Sequence, residues 1–168
     1  MKKIILLAIA FSLSLVAFSQ NSLLDVKKRP SISQRDNGMK TVFEFLEKCQ
    51  TYYLSTVEGD KPKVRPFGTI NMFKDRLYIQ TGRKKLVSQQ MEKNPNIEIC
   101  AFNGKEWIRI EAIAVDDPSI EAKESMMKKY PSLLKMYPIN DPNTQVLYLK
   151  DVKATIYSFT SEPKTFKF

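Results

Sequence analysis

The chain has 168 residues, with 27 lysines and arginines against 18 aspartates and glutamates, and a formal charge of +9. It contains no histidine, which excludes Ser-His-Asp and Cys-His catalysis, HExxH zinc sites and histidine-ligated haem. Its five glycines stand too far apart for a Rossmann fingerprint or a P-loop. The basic balance suits an anionic partner, such as a phosphate, a nucleic acid or a membrane surface, although a solvated basic surface is its commoner origin.

The first 19 residues have the layout of a secretory signal peptide. Lys2 and Lys3 form a positive start, residues 4–16 are almost unbroken apolar, and small residues at positions 17 and 19 precede a cut ahead of Gln20. The alternative is a membrane anchor, but the apolar run is shorter than the ~20 residues that a spanning helix needs. We therefore expect export to the periplasm or secretion, with no membrane association after cleavage.

After the signal peptide, the pattern predicts a polar arm or linker at residues 20–38 and one domain at residues 39–168. The domain's predicted helices lie at residues 39–49, 84–94 and 118–130, the last extended over 131–137. The predicted strands lie at residues 51–57, 63–73, 76–81, 96–102, 106–115, 145–149 and 153–160. Short connections favour an antiparallel meander of the first three strands. Together, these helices and strands predict a mostly β fold, a barrel of six or seven antiparallel strands with connector helices.

Two of these strands alternate clearly between two faces. In the strand at residues 63–73, a mixed face of aromatic, cationic and polar side chains consists of Arg65, Phe67, Thr69 and Asn71. In the strand at residues 106–115, the apolar face consists of Ile108, Ile110, Ala112 and Ala114, and it opposes Trp107, Arg109 and Glu111. Such mixed faces suit a ligand with a ring and a phosphate, and they are equally typical of an ordinary wet sheet surface.

One corner of the chain has good chemistry for binding a phosphate. Thr81 and Gly82 end a strand, and Arg83, Lys84 and Lys85 lead into a helix. Three cations, a hydroxyl and free amides at a helix N-terminus favour an anion, and glycine allows close approach of the backbone. A solvated basic turn is the alternative.

The two cysteines, Cys49 and Cys100, are predicted to be buried, unpaired small hydrophobes. A disulfide between them is the alternative in an exported protein. Two cysteines cannot form a four-cysteine zinc site, and we expect no metal centre.

The order of several short motifs along the chain is more specific than any one of them. The motifs are Thr51-Tyr52-Tyr53-Leu54-Ser55-Thr56, Val64-Arg65-Pro66-Phe67-Gly68-Thr69, Leu77-Tyr78-Ile79-Gln80-Thr81-Gly82 with Lys85, Asn94-Pro95, Ile99-Cys100-Ala101-Phe102 and Glu106-Trp107-Ile108-Arg109. This order resembles the short, FMN-binding members of the pyridoxamine 5'-phosphate oxidase-like family. The resemblance covers the chain from about residue 39 to the C-terminus.

The resemblance implies a Greek-key split β-barrel that forms a homodimer, with two flavins at the subunit interface. Arg65 would contact the FMN phosphate, and the backbone around Pro66 and Phe67 would lie along the isoalloxazine ring. The other implied cofactor residues are Thr69 on the same strand, Gln80 and Thr81 on a second contact strand, Lys84 or Lys85 at the phosphate, and Trp107 at the ring edge. Arg109 is a lesser candidate.

Departures from the family pattern narrow the expected function. Authentic pyridoxamine-phosphate oxidases carry a lysine near the position of Ile70 and a C-terminal Arg-Leu-His segment, and this chain has neither. We therefore expect an FMN-dependent oxidoreductase that acts on another small molecule, and the sequence nominates no catalytic acid or base. The alternatives are a non-catalytic module that binds or carries flavin or deazaflavin and, on charge alone, a protein that grips nucleic acid or envelope polymers. We expect no nucleic-acid partner.

Overall fold

The computed structural model describes residues 30–168. The predicted signal peptide at residues 1–19 and residues 20–29 of the predicted arm lie outside the described residues. In the part that the structure describes, no helix is long and apolar enough to cross a membrane.

Helix α1 spans Ile32–Cys49, so the prediction of an arm is wrong for residues 32–38, which are helical. The buried residues of α1 recur every three or four positions and share one face; they are Gly38, Met39, Val42, Phe45 and Leu46. Gly38 lies inside the helix because Phe166 packs directly on it. A β-carbon at Gly38 would lie 3.1 Å from Cβ of Phe166.

Eight strands among the described residues form one antiparallel sheet. They are β1 (Tyr52–Glu58), β2 (Lys61–Phe67), β3 (Asn71–Phe73), β4 (Arg76–Gly82), β5 (Asn96–Phe102), β6 (Glu106–Asp116), β7 (Thr144–Ser158) and β8 (Lys164–Lys167). Their hydrogen-bonded order is β2-β1-β5-β6-β7-β4-β3, and β8 pairs with β7. The predicted mostly β, antiparallel split-barrel fold is confirmed, with eight strands rather than six or seven.

The predicted strand at residues 63–73 is in fact two strands at opposite ends of the sheet order. Residues 68–70 alone connect β2 to β3, and a connection of this length spans at most roughly 14 Å. The two ends of the sheet must therefore lie close together, as in a barrel. Both pairings of the predicted meander are present, since β1 pairs with β2 and β3 pairs with β4, but the break at residues 68–70 divides its middle strand in two.

Strand β7 merges the two predicted C-terminal strands into one strand of 15 residues. Asp151 within it has a φ of 53°, and the pairing with β6 shifts register between Glu111 and Ile113. Such an irregularity bends a strand, and the two halves of β7 accordingly pair with different partners, β4 and β8.

Two helices and a short turn of 3₁₀ helix complete the fold: α2 (Leu86–Lys93), α3 (Ile120–Lys129) and the 3₁₀ turn Pro131–Lys135. The main core lies between the inner face of the sheet and α1. It includes the predicted apolar face of β6, since Ile108 and Ile110 are fully buried and Ala112 and Ala114 nearly so.

The cysteine prediction is correct in one respect and wrong in another. Cys49 and Cys100 are free thiols, as predicted, but Cys49 is half-buried and Cys100 is exposed. Cys100 is exposed because it points to the outer face of β5, between the buried neighbours Ile99 and Ala101.

Candidate functional site

Arg65 lies on β2 with its half-buried side chain between the exposed neighbours Val64 and Pro66. Its guanidinium donates to Oγ1 of Thr56 on β1 and to Oε1 of Gln90 on α2, each at 2.7 Å. The Thr56 hydroxyl donates to the same Gln90 oxygen at 2.6 Å. Because Thr56 and Gln90 are buried, this network fixes the guanidinium and ties the β1–β2 hairpin to α2.

The positive charge of Arg65 is held by neutral acceptors. Among the described residues, no carboxylate lies within 4.0 Å of its guanidinium, and its Nε group has no hydrogen-bond partner. Burial lowers the pKa of Arg65, and the negative charge of nearby Glu58 opposes that shift. Glu58 itself is paired with Lys63 at 3.1 Å. Since a guanidinium has five donors, Arg65 retains capacity to bind an anion.

Residues 68–70, between β2 and β3, are held by side chains instead of a strand ladder. The Tyr52 hydroxyl donates to the carbonyl of Thr69 at 2.7 Å, and Oγ1 of Thr69 accepts from the Gln80 amide at 3.1 Å. The Tyr130 hydroxyl accepts from the amide of Ile70 and donates to its carbonyl, each at 3.0 Å. Burial raises the pKa of Tyr52 well above its usual value, so this hydroxyl stays protonated and can donate.

The corner after β4 differs from its prediction, because its amides are already used. The amide of Arg83 donates to the carbonyl of Asn143 at 2.9 Å, and that of Lys84 donates to Asn143 Oδ1 at 3.0 Å. The amide of Lys85 donates to the carbonyl of Gly82 at 3.0 Å. The amides of residues 83–85 are therefore not among the free amides that the prediction placed at the helix N-terminus. The sequence could not show this, because Asn143 lies 59 positions from Lys84.

The side chains of this corner are not equally available to a ligand. Thr81 is 2% exposed, so its hydroxyl is not at the surface, and Arg83 is paired with Asp116 at 2.7 Å. Lys84 and Lys85 are exposed, and the Lys85 ammonium lies 5.4 Å from the centroid of the Tyr137 ring. Two lysines therefore remain as the cations of the corner.

Helix α2 links the corner to Arg65. Gln90, which holds Arg65, follows Lys85 by five residues, roughly 7.5 Å along the helix axis. On the other side, Thr69 contacts Gln80, whose side-chain amide donates to the carbonyl of Thr81 at 2.8 Å. The structure thus connects six of the predicted cofactor residues through β4 and α2: Arg65, Thr69, Gln80, Thr81, Lys84 and Lys85.

The remaining three predicted residues have other surroundings. Phe67 stacks on Tyr52, with ring centroids 5.9 Å apart, and packs against the core. Pro66 is exposed on the outer face of β2. The Trp107 ring stacks on that of Tyr157, with centroids 5.4 Å apart, and lies 5.2 Å from that of Phe159; neither partner is a predicted cofactor residue. Arg109 pairs with Glu98 at 2.5 Å.

Neither a metal site nor the larger cavity coincides with these residues. In the described range, no cluster of three or more histidine, cysteine, aspartate or glutamate residues could hold a metal ion. A cavity of about 470 Å³ lies between α1, the β3–β4 turn and β7, and none of the nine predicted residues lines it. A shallow groove of about 150 Å³ beside Gln90 is lined partly by Glu58 and Leu86.

Sequence reasoning missed the residues that hold the site in place. Thr56, Gln90, Tyr130 and Asn143 make the contacts that fix Arg65, the β2–β3 connection and the corner. Of these, only Thr56 had a detectable signal. It ends the first of the family motifs and faces inward two residues from Leu54, the cross-strand neighbour of Arg65. The other three act across long stretches of chain and leave no local pattern.

The chain is similar to one family throughout the part that carries this site. A family profile described as "Pyridoxamine 5'-phosphate oxidase" matches residues 39–155. The chain belongs to the pyridoxamine 5'-phosphate oxidase-like family. A NimC/NimA family protein from Clostridium acetobutylicum is 39% identical, with a TM-score of 0.78 over 81% of this chain and 96% of that one.

More distant solved structures share the fold alone. General Stress Protein 26 from Bacillus anthracis is 23% identical, with a TM-score of 0.59 over 79% of this chain and 98% of that one. HutZ, a haem storage protein from Vibrio cholerae, is 12% identical, with a TM-score of 0.56 over 71% of this chain and 92% of that one. No curated protein matches the chain.

Proposed function

We propose that this family member is an FMN-binding flavoprotein, and that it is an oxidoreductase acting on a small molecule. The observation that supports the proposal is the set of cations around α2. Neutral groups hold the guanidinium of Arg65, and no carboxylate of residues 30–168 lies within 4.0 Å of it. Lys84 and Lys85 are exposed at the start of the same helix. A guanidinium and two ammonium groups fit a dianionic phosphate.

Each part of the chain then has a defined task. Arg65, Lys84 and Lys85 bind the phosphate, the backbone around Pro66 and Phe67 lies along the ring, and Thr69, Gln80 and Thr81 build the wall between β2 and β4. When bound, flavin supplies the electron-transfer chemistry, and the protein supplies binding and orientation. None of the nine proposed residues is a carboxylic acid, so we assign no catalytic acid or base.

FMN suits this chain better than haem does. Two of the structural neighbours are described as a haem binding protein from Mycobacterium smegmatis and a haem storage protein, and at 11% and 12% identity they share the fold alone. The sequence has no histidine in its 168 residues, so the commonest haem-iron ligand is missing.

We further propose that the protein is a homodimer with the cofactor at its interface. The outer face of β2, β1 and β5 exposes Val64, Tyr53 and Phe102 at 64%, 53% and 59%. Cross-strand pairing of Tyr53 with Pro66 and Cys100, and of Phe102 with Trp107, puts these residues on one surface. An exposed apolar strip of this kind is typical of a protein interface.

The proposal is tested by titrating the purified protein with FMN and following flavin absorbance and fluorescence. We expect saturable binding that Arg65→Ala weakens by about tenfold or more, which corresponds to one charge-assisted hydrogen bond. Arg35→Ala is the matched control, because it removes an exposed arginine on α1. Absence of binding by the wild-type protein would overturn the assignment.

A binding or carrier module is the second candidate, because no acid or base emerges at the site. Reduction of bound FMN by a nicotinamide donor, followed by reoxidation by an acceptor, supports the enzyme. Tight binding of flavin or deazaflavin without turnover supports the carrier.

We also propose export, since residues 1–19 read as a signal peptide. Mass spectrometry of the protein from its native host should find Gln20 at the N-terminus. Retention of Met1 in the membrane fraction would support the anchor instead.

A further inference from the structure

Residues 137–143, between the 3₁₀ turn and β7, lie directly on the phosphate corner, and we call them the strap. Asn143 is the contact residue, since its carbonyl accepts from the amide of Arg83 at 2.9 Å and its Oδ1 accepts from the amide of Lys84 at 3.0 Å. Asn143 is itself fixed, because its amide donates to Oδ1 of Asp141 at 2.8 Å. One side chain and one carbonyl thereby fix two successive amides of the corner.

The strap approaches the corner closely, and a side chain at Gly82 would be tightly packed beneath it. A β-carbon on Gly82 would lie 3.0 Å from Cε1 of Tyr137 and 3.2 Å from the side-chain amide atoms of Asn143. The strap is also anchored at its far end, where the Thr144 hydroxyl donates to the carbonyl of Pro138 at 2.6 Å. This contact is therefore a packed junction between two chain segments.

The strap also contacts the side chain of Lys85. The ammonium of Lys85 lies 5.4 Å from the centroid of the Tyr137 ring, within the range of a cation–π contact. Strap residues thus touch the backbone of Lys84 and the side chain of Lys85.

We propose that Asn143 is a positioning residue for the FMN phosphate, and this inference rests on the proposed function. Asn143 holds the turn at residues 83–84 in one conformation, and that conformation sets where the side chains of Lys84 and Lys85 leave the backbone. Without Oδ1, the Lys84 amide loses its acceptor and the turn gains freedom. The two lysines must then be ordered when the phosphate binds, and this loss of freedom lowers the affinity for FMN.

The test compares FMN with riboflavin, which has the same ring and lacks the phosphate. Asn143→Ala should lower FMN affinity by about three- to tenfold, the range expected for one hydrogen bond, and leave riboflavin affinity unchanged. Asn140→Ala is the matched control, because Asn140 is an exposed asparagine of the same strap and should change neither affinity. Thermal unfolding of each variant checks that it is folded.

A second variant disturbs the same junction from the other side. Gly82→Ala puts a methyl group against Tyr137 and Asn143, so it should also reduce FMN affinity more than riboflavin affinity. This variant keeps the inference testable if Asn143→Ala does not fold.

The outcomes separate the inference from the proposed function. If the wild-type protein prefers FMN to riboflavin and the folded variants keep that preference, Asn143 has no positioning role. If both ligands weaken equally, its role is only structural, and the inference is again overturned. If the wild-type protein binds FMN no better than riboflavin, the phosphate clamp itself fails, and the inference fails with it.

Discussion

Two hydrogen-bonded groups of this fold, the Tyr78–Asp117 pair and the Arg65 network, each hold one charged side chain with neutral partners. At one, the Tyr78 hydroxyl donates to Oδ2 of Asp117 at 2.8 Å, and Oδ1 of Asp117 accepts from the amide of Ser119 at 3.0 Å. At the other, Arg65 donates to Thr56 and Gln90. The first pair combines a neutral donor with an anion whose two oxygens are both occupied. The second combines a cation with neutral acceptors, and its Nε has no hydrogen-bond partner among the residues that the structure describes.

The difference supports a structural role for the Tyr78–Asp117 pair and the proposed role of Arg65 in binding an anion. In the pair of Tyr78 and Asp117, burial raises the pKa of Asp117, but the hydrogen bonds from Ser119 and Tyr78 outweigh burial and lower it. The ionised form of Asp117 is therefore stabilised by the groups that already surround it. Neutral groups fix the geometry of Arg65, and in the described part of the chain no carboxylate lies within 4.0 Å of its guanidinium, although the charge of Glu58 acts on it from farther away. A half-buried cation of this kind suits a site that binds an anion.

The largest effect is expected where the Arg65 network is broken at its shared acceptor. Gln90→Leu removes the oxygen that accepts from both Arg65 and Thr56. The buried Thr56 hydroxyl and the Arg65 guanidinium then lose this acceptor. We expect the free energy of unfolding to fall by about 3 kcal/mol, measured by urea unfolding. Gln89→Leu changes the adjacent exposed glutamine and should stay within about 0.5 kcal/mol of wild type. Equal effects of the two variants would show that the network does not stabilise the fold.

A smaller effect, set by pH, is expected at the second pair. Burial, with the hydrogen bond and charge of Asp117, raises the pKa of Tyr78 from 10.0 to about 12. A raised tyrosine pKa contributes stability that is complete below pH 10 and lost as the pH rises through about 12. The loss should amount to about 2 kcal/mol, and Tyr78→Phe should remove it. Urea unfolding at several pH values between these limits measures the difference, and parallel curves for the two proteins would contradict it.

The same pair predicts the behaviour in acid. Because the folded-state pKa of Asp117 is lowered, its contribution is complete above the ordinary aspartate pKa and lost as the pH falls through the lowered value. Tyr78→Phe removes one of the three hydrogen bonds that lower the pKa of Asp117, so it should flatten this acid-side loss as well. A control such as Tyr53→Phe, at an exposed tyrosine, should leave both sides unchanged.

Local pattern was sufficient to predict the strands whose alternation is complete. The apolar positions of β6 are buried as expected, and the Lys74-Asp75 turn joins β3 to β4. Pattern failed where distant side chains decide the structure. The break at residues 68–70 depends on Tyr52 and Tyr130, and β8 is short, exposed and recognised only by its pairing with β7.

The site was predictable to a similar degree. The residue types for binding an anion were visible in Arg65, Lys84 and Lys85, because cations need no context to be recognised. Their support was not visible, since Gln90 and Asn143 are ordinary polar residues until the fold brings them to Arg65 and Lys84. The burial of Thr81 was likewise invisible, because it depends on the whole of β4 lying inside the sheet.

The smallest effect is expected at Trp107, whose contacts are aromatic and lie on the outer face. Trp107→Ala should lower the free energy of unfolding by about 1 kcal/mol, the value of one lost aromatic pair, with Tyr157→Phe as the control that keeps a ring. If Trp107 contacts the flavin ring, FMN and riboflavin should weaken by the same factor, because the two ligands share that ring. A selective loss of FMN affinity would instead assign Trp107 to the phosphate and contradict its proposed place at the flavin ring.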